Sequence, residues 1–119
     1  MGNKPIFMTS DVEKAAKIKK DEEYQKARDL SDMQKLLKLP EFRRFLWKVW
    51  EKTGLTRNPF STNALEMGRA CGIQAVGQEI LADVNDADVY AFAQIQRDHI
   101  SERKSKEAAE KKEEEKQNA

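Results

Sequence analysis

Few side chains of this chain could take part in covalent chemistry, and the first to consider are its single cysteine, Cys71, and its single histidine, His99. A cysteine acts as a nucleophile when a nearby histidine takes the proton of its thiol. These two residues lie 28 positions apart, and no motif links them. Ala70 and Gly72 flank the cysteine as on a packed helix face, so we interpret Cys71 as a small buried residue. A single cysteine also excludes an internal disulfide.

Acidic and glycine-rich segments give the next candidates for a site. Residues 83–90, DVNDADVY, have acidic spacing similar to a calcium loop, but they lack its glycine at the sixth position and its glutamate at the twelfth. Gly68, Gly72 and Gly77 follow no strand pattern and precede no Lys-Ser or Lys-Thr pair, which a phosphate loop requires. We therefore predict no catalytic residue, no metal ligand and no cofactor, and a protein that is not an enzyme.

The strongest local signal is residues 42–60, FRRFLWKVWEKTGLTRNPF, which hold five of the nine aromatic residues and five basic ones. Nucleic-acid binding would use the basic residues to contact phosphates. The candidate contacts are Arg43, Arg44, Lys48, Lys52 and Arg57. The alternative is an amphipathic helix that turns its aromatic residues inward and leaves the basic ones in solvent. A helix-turn-helix is disfavoured because residues 56–63 are too long for its tight turn.

The elements that must position these residues are all predicted to be helices. A capping box at Ser10 and Glu13 predicts a helix that begins near residue 11. A second cap at Ser31 predicts a further short helix or a bent continuation to Leu39. Proline suits the first turn of a helix, so Pro40 predicts the start of the next one, which runs to about residue 52.

The second half of the chain carries its own start and stop signals. Gly54 is expected to close the 40–52 helix in a left-handed conformation. Asn63 caps a helix that is predicted to run to about Val84. Residues 85–88, NDAD, predict the start of the last helix, because acidic side chains suit the positive end of a helix dipole. The tail beyond residue 100 is either a helix held by charge pairs or disordered.

Apolar spacing indicates which side chains face a core. In the 40–52 helix the inward set is Phe42, Phe45, Leu46, Val49 and Trp50, and in the last helix it is Val89, Phe92, Ile95, Gln96 and His99. Phe60 is expected to fold back as an anchor. Glycine within a helix lowers its stability, so we expect the close approach of another backbone, or of a bulky aromatic side chain, at Gly68, Gly72 and Gly77. The candidate packing or interface residues are Trp47, Trp50, Phe60, Gly68, Arg69 and Gly72, with Arg69 making a polar contact to Glu66 or to a partner.

These patterns predict an all-α protein, with a small helical bundle or helical hairpin as its body and charged helical extensions at both ends. The predicted boundaries are residues 1–30 for the N-terminal extension, 31–100 for the body and 101–119 for the tail. Charged residues make up 36% of the chain and the mean hydropathy is -0.85, so part of it must be solvated. No window approaches a membrane span and no signal peptide is recognisable. A body of about 70 residues supplies only about 3–5 kcal/mol of stability, which favours an oligomer.

A family resemblance covers about half of the chain. Four segments carry it: the helix containing Arg44 to Trp47, the turn that ends at Phe60, the Gly-Arg-x-x-Gly segment that begins at Gly68, and Ile80-Leu81 before an acidic turn. Together they resemble a family of small proteins of short-tailed bacteriophages, of the Bordetella-phage type. The family pattern has a second arginine at the position that Ala70 occupies here. The resemblance implies a virion-associated or head-assembly role and no catalytic site.

Three functions follow as expectations. The first is a non-enzymatic virion component, in the phage particle or in the host cytoplasm during assembly, whose partners are portal, capsid, scaffold or internal proteins, or copies of itself. The second is a nucleic-acid-binding accessory protein that uses the basic residues of the 42–57 segment. The third is a small phage regulator of a host protein. The net charge of +1 gives no general attraction to DNA, so any such contact must be local.

Overall fold

The computed structural model describes residues 6–118, with side chains from residue 10 onward. It contains four α-helices and, within these residues, no strand: α1 (Ile6–Leu36), α2 (Pro40–Thr53), α3 (Ala64–Ala87) and α4 (Ala91–Gln117). The predicted all-α class is therefore confirmed. α3 contacts each of the other three helices, and α2 also packs against α4.

α1 is longer than its capping signals predict. It begins at Ile6, so Ser10 and Glu13 lie within the helix and the predicted capping box is wrong. The helix also continues through Ser31 without a break, as the bent-continuation alternative allowed, although a separate start there is wrong. The physical reason is composition: no glycine or proline occurs between Ile6 and Leu39, and most of these residues are good helix formers.

The limits of α2 follow from the residues at its two ends. Leu39 is extended, with φ of -89° and ψ of 119°, as expected before a proline, and Pro40 opens the first turn. Gly54 closes the helix at φ of 67°, which is the left-handed region that favours glycine. The helix predicted for residues 40–52 is confirmed, and it ends one residue later than expected.

The junction between α3 and α4 differs from the prediction. Asn63 caps α3 as expected, because its Oδ1 accepts hydrogen bonds from the backbone N–H groups of Leu65 and Glu66 at 2.9 and 3.2 Å. However, α3 runs on to Ala87, so residues 85–87 end this helix and the predicted helix start at NDAD is wrong. Val84 is fully buried and Ala87 packs beside it, and this core contact holds the last turn of α3. Asp88 then begins the turn, with its carboxylate accepting from the N–H of Tyr90.

The core is small and draws on every helix. Six buried hydrophobic residues form it: Leu37, Leu46, Trp50, Val84, Ala91 and Ile95. Partly buried neighbours pack around them, among them Phe42, Trp47, Leu55 and Phe92. Four residues predicted to point inward do not: Phe45 is 57% exposed, Phe60 is 72% exposed, and Val89 and Gln96 are also exposed. Leu55, immediately after Gly54, packs against the core instead of Phe60, because the chain reverses earlier than the spacing suggested.

The molecule is elongated. Its dimensions are 96 × 40 × 17 Å and its radius of gyration is 23.5 Å, whereas a compact chain of this length has a radius of about 13.5 Å. Residues 11–30 of α1 and 100–117 of α4 are exposed throughout. The charged tail is helical, as one of the two sequence interpretations held, and Arg103 and Glu107 form an ion pair of the i,i+4 type within it.

The three glycines of α3 have different surroundings. A Cβ atom on Gly77 would collide with the side chain of Thr53 at the end of α2, so this glycine allows the two helices to approach closely. A Cβ atom on Gly68 or Gly72 would meet no atom within 4 Å. The expectation of a covering neighbour is therefore confirmed for Gly77 and wrong for Gly68 and Gly72, which lie on an exposed part of α3.

This contrast predicts opposite effects of the same substitution. We expect Gly77→Ala to lower the free energy of unfolding by about 1–3 kcal/mol, because Thr53 and its helix must move apart from α3. Gly72→Ala should raise it by up to about 1 kcal/mol, since alanine is the better helix former where space is open. Urea denaturation of both variants measures the difference. Equal stability of the Gly77→Ala variant and the natural protein would contradict the close α2–α3 contact.

Candidate functional site

An open cleft of about 480 Å³ lies between α2 and α4. α2 contributes Arg43, Trp47 and Glu51 to its wall, and α4 contributes Asp98 and His99. Arg43, Trp47 and Glu51 are spaced four apart, so they lie on one face of α2, and the adjacent residues Asp98 and His99 border the cleft from α4. The cleft brings together the histidine and one of the tryptophans that the sequence singled out.

Trp47, His99 and Glu51 form the centre of this cleft. The imidazole of His99 stacks on the indole of Trp47, with ring centroids 4.7 Å apart and 27° between the planes. The indole N–H of Trp47 donates to Glu51 Oε1 at 2.7 Å, and His99 Nε2 lies 3.7 Å from the same oxygen. Ser101 also borders the cleft, but among the described residues no hydrogen bond joins it to His99. The arrangement holds two helices together without a positioned nucleophile.

Cys71 is not part of the cleft. It is exposed on α3, whereas His99 contacts Trp47 and Glu51 on α2. The interpretation of Cys71 as a buried residue is therefore wrong. Its half of α3 extends beyond the core: the buried residues of this helix, Gly77 and Val84, both lie in its second half.

Arg43 links three parts of the fold. One of its terminal nitrogens donates to the backbone oxygen of Leu37 at 3.1 Å, just after α1. Its Nε lies 3.5 Å from a carboxylate oxygen of Asp98 on α4. The side chain is only 26% exposed, so these contacts are partly shielded from water. Arg43 thus ties α2 to the end of α1 and to α4, and its charge is already paired.

The neighbouring arginines allow a matched comparison. We expect Arg43→Met to lower the free energy of unfolding by about 1–2 kcal/mol, because it removes the hydrogen bond to Leu37 and the cationic partner of Asp98, which keeps only its bond from Gln94. Arg44→Met should change it by less than about 0.5 kcal/mol, since Arg44 is exposed. Thermal unfolding followed by circular dichroism measures both variants. Equal effects at the two positions would rule out the bridging role of Arg43.

The five basic residues proposed as nucleic-acid contacts do not all share one surface, although Arg44, Lys48 and Lys52 lie four apart along α2. Arg44 and Lys48 border the α2–α4 cleft beside the carboxylates of Glu51 and Glu102. Lys52 and Arg57 border a different, smaller groove at the end of α2, together with Ile73 and Gln74 of α3. Arg43 is held by Asp98. The set is therefore divided between two sites, and acidic groups stand beside part of it.

Gln74 is a structural residue that the sequence did not reveal. Its side-chain nitrogen lies 2.9, 3.3 and 2.7 Å from the backbone oxygens of Gly54, Leu55 and Arg57. The two hydrogens of the amide serve three acceptors, so one bond is shared. These oxygens belong to the turn that follows α2, where helix carbonyl groups lose their usual partners. Gln74 thereby fixes this turn against α3, and no sequence spacing indicates such a contact.

Replacing this donor tests its importance. We expect Gln74→Glu to lower the free energy of unfolding by about 1–3 kcal/mol, because a carboxylate would face three carbonyl oxygens without a hydrogen to donate. Gln78→Glu, one turn later on an exposed face of α3, is the matched control and should have little effect. Urea denaturation at neutral pH compares them. A stable Gln74→Glu variant would mean that the turn does not depend on this amide.

The remaining candidate packing residues divide into core and surface. Trp50 is buried and packs edge to face on Phe92, with ring centroids 5.2 Å apart, and its indole N–H has no hydrogen-bond partner. Gly68, Arg69 and Gly72 are exposed on α3. Among the described residues no hydrogen bond or ion pair joins Arg69 to Glu66, whose carboxylate accepts a hydrogen bond from the hydroxyl of Ser61. The alternative contact of Arg69 with a partner stays a prediction. The residues thought to act together therefore lie in separate places.

A second groove, of about 700 Å³, runs between α1 and α3, and no pattern in the sequence indicates it. Four aspartates border it: Asp29 and Asp32 from α1, and Asp83 and Asp86 from α3. Apolar side chains of α1 form the rest of its wall, namely Leu30, Met33 and Leu36. Both aspartate pairs have i,i+3 spacing, which signals a shared helix face, but only the fold brings the pairs together. We name this feature the acidic groove.

In the part of the chain that the structure describes, which includes the acidic groove and residues 83–90, no group of three or more His, Cys, Asp or Glu side chains is close enough together to hold an ion. Within the residues that the structure describes, no helix has the length and apolar character to cross a membrane.

Comparison with known proteins adds no assignment. The chain matches no protein-family model, no curated protein and no solved structure.

Proposed function

We propose that the protein is a non-enzymatic assembly component that acts through protein–protein contacts, in the head, portal region or interior of a short-tailed phage particle. The phage setting rests on the resemblance described for Arg44 to Trp47 and for the segment that begins at Gly68. Its partners would be portal, capsid, scaffold or internal proteins, and further copies of itself. It would occur in the virion, or in the host cytoplasm during assembly.

The observation that carries this proposal is the exposed area. The chain exposes 10132 Å², whereas a compact monomer of 13.7 kDa exposes about 6,600 Å². The excess comes from long helices that bury little against the body. Much of this surface is charged and stays solvated in the single chain. Long exposed helices of this kind offer extended surface for contact with other molecules, which supports a role in assembly.

A second candidate is DNA binding by α2, favoured by one observation. Arg44, Lys48 and Lys52 are exposed on the outer side of this helix, together with the aromatic ring of Phe45. Three phosphate contacts would make the affinity fall about 40-fold between about 50 and 200 mM salt. The local carboxylates of Glu51 and Glu102 oppose this role, because they reduce the positive potential of the cleft.

Particle composition tests the assembly proposal. We expect a tagged copy of the chain, expressed from the phage that carries the gene, to sediment with purified particles in a fixed copy number measured by mass spectrometry. DNA-free heads should contain the same number, because protein contacts hold it there. Absence from both kinds of particle would refute the proposal. Presence in DNA-filled particles alone would favour the second candidate.

A gel-shift control separates the two candidates with purified protein. The DNA candidate requires a shift that weakens steeply with salt and that the Arg44→Gln/Lys48→Gln/Lys52→Gln variant loses. The matched variant Lys106→Gln/Lys111→Gln/Lys112→Gln removes the same charge from the exposed tail and should leave any specific shift intact. The assembly proposal expects no salt-dependent shift that distinguishes the two variants.

A further inference from the structure

The acidic groove and the outer face of α2 are complementary surfaces on different parts of the same chain. We propose that the acidic groove of one copy binds the outer face of α2 from a second copy. This inference rests on the proposed assembly function, and it names both the partner and the contact. We define the basic face as Arg44, Phe45, Lys48 and Lys52.

The groove has the size and lining to receive part of a helix. Its α1 wall extends from Lys26 to Leu36, which corresponds to about 15 Å along the helix axis. Leu30 and Leu36 are each more than a third exposed, and Met33 between them is partly buried against the core, so part of the apolar wall stays open to solvent within the described residues. Apolar surface of this kind, rimmed by charge, is typical of a protein contact site. A guest helix would place an apolar side chain on this wall and its flanking charges at the rim.

The basic face has the matching arrangement. Arg44, Lys48 and Lys52 lie four apart along α2, and Phe45, which is 57% exposed, lies beside this row. From Arg44 to Lys52 the face covers about 12 Å of helix, which fits within the groove. Within one chain Phe45 contacts the rim of the core through Phe42, at 6.2 Å between ring centroids, and Leu46 and Trp50 are the buried residues of α2. The groove of another copy would cover the rest of the Phe45 ring.

Charge is the argument for a second copy as the occupant. The groove carries four aspartates and Lys26, a net charge of -3. The basic face carries three positive charges. The carboxylates of Glu41, and of Glu51 and Glu102 at the α2–α4 cleft, offset part of this charge, so the attraction is local to the lysine and arginine side chains. None of the residues that line the groove belongs to α2, so a single copy does not make this contact. Complementary potentials of this kind favour the encounter and fix its orientation.

The contact joins two different surfaces, so it is head-to-tail. Each copy offers one groove and one basic face, and the geometry of the contact decides whether copies close into a ring or extend as a chain. A helix in a groove of this length buries less than a standard protein interface. We therefore expect a weak contact, with a dissociation constant of about 10–100 µM, that becomes important where many copies are held together.

Sedimentation velocity of the full chain tests self-association. We expect the sedimentation coefficient to rise between about 5 and 200 µM protein at about 50 mM salt, and the rise to be smaller at about 300 mM, because salt screens the charges. A monomer at every concentration would overturn the second copy as the occupant. Association that is the same at both salt concentrations would overturn the charge complementarity.

Charge reversal with rescue locates the contact. The groove variant is Asp83→Lys/Asp86→Lys, and the face variant is Arg44→Glu/Lys48→Glu. Each variant alone should associate at least about tenfold more weakly than the natural chain, because like charges then meet. An equal mixture of the two should recover association to within about threefold, since each reversed surface again meets its opposite. Rescue in the mixture also shows that both variants are folded.

Two further results would overturn the inference. One is that either variant alone associates as strongly as the natural chain. The other is that the mixture associates no better than each variant alone, while both variants retain the helical circular dichroism of the natural chain. Phe45→Ser, which keeps every charge, should also weaken association, whereas Leu65→Ser at another exposed apolar site is the matched control and should not. This outcome can be distinguished from that of the particle test. If the chain is found in particles but its groove variants self-associate normally, the proposed function stands and the proposed contact is wrong.

Discussion

The rest of the structure depends on one constraint, which is that α2 must join the other helices through a core of six buried side chains. Trp50 is 2% exposed and packs on Phe92 of α4, in the same cluster as Val84 of α3 and Leu37 at the end of α1. Its indole N–H lies buried without a hydrogen-bond acceptor. Such a group costs free energy, so the volume and the edge-to-face contact of the ring must outweigh the loss. Arg43 and Gln74 add polar links at the two ends of the same helix.

Because the core is small, it stabilises only part of each long helix. The first part of α1 and the last part of α4 make no buried contact, so they are supported by helix propensity and local side-chain pairs. In α1 these include Gln25 with Asp29, and in α4 Arg103 with Glu107. Each such pair contributes about 0.2–0.5 kcal/mol. Local unfolding of these segments therefore costs little beside unfolding of the body, and a bound partner could order them at modest cost.

The sequence predicted the helices better than it predicted their surroundings. Pro40, Gly54 and Asn63 act through bonds within a few residues, and the structure places all three as expected. Ser10 had an equally good capping pattern, but nothing before it interrupts the helix, and a capping signal alone does not stop a helix that can continue. The helix start predicted at NDAD is also absent, because the packing of Val84 in the core extends α3 through these residues. Local signals succeed where no distant contact competes with them.

The candidate surfaces were harder to foresee because they depend on distant parts of the chain. Periodicity assigned Phe45 to the core. At the edge of the apolar face of an amphipathic helix, a small change in helix tilt decides whether a side chain is buried, and Phe45 lies on the exposed side of that edge. Gly68, Gly72 and Gly77 look alike in the sequence, but only Gly77 faces another helix. The acidic groove joins Asp29 to Asp86 across more than fifty residues, a pairing that no local pattern encodes.

The positions of the charged residues in the fold support a role in assembly more directly than the net charge does. A net charge of +1 gives the whole chain neither attraction to nor repulsion from DNA or another copy. The fold separates the charges, with aspartates of α1 and α3 around an apolar wall and basic residues beside Phe45 on α2. A uniformly basic protein would gain most of its binding energy from phosphates. A neutral chain with two opposed patches gains it where the patches of neighbouring molecules meet, so its binding specificity lies in their arrangement.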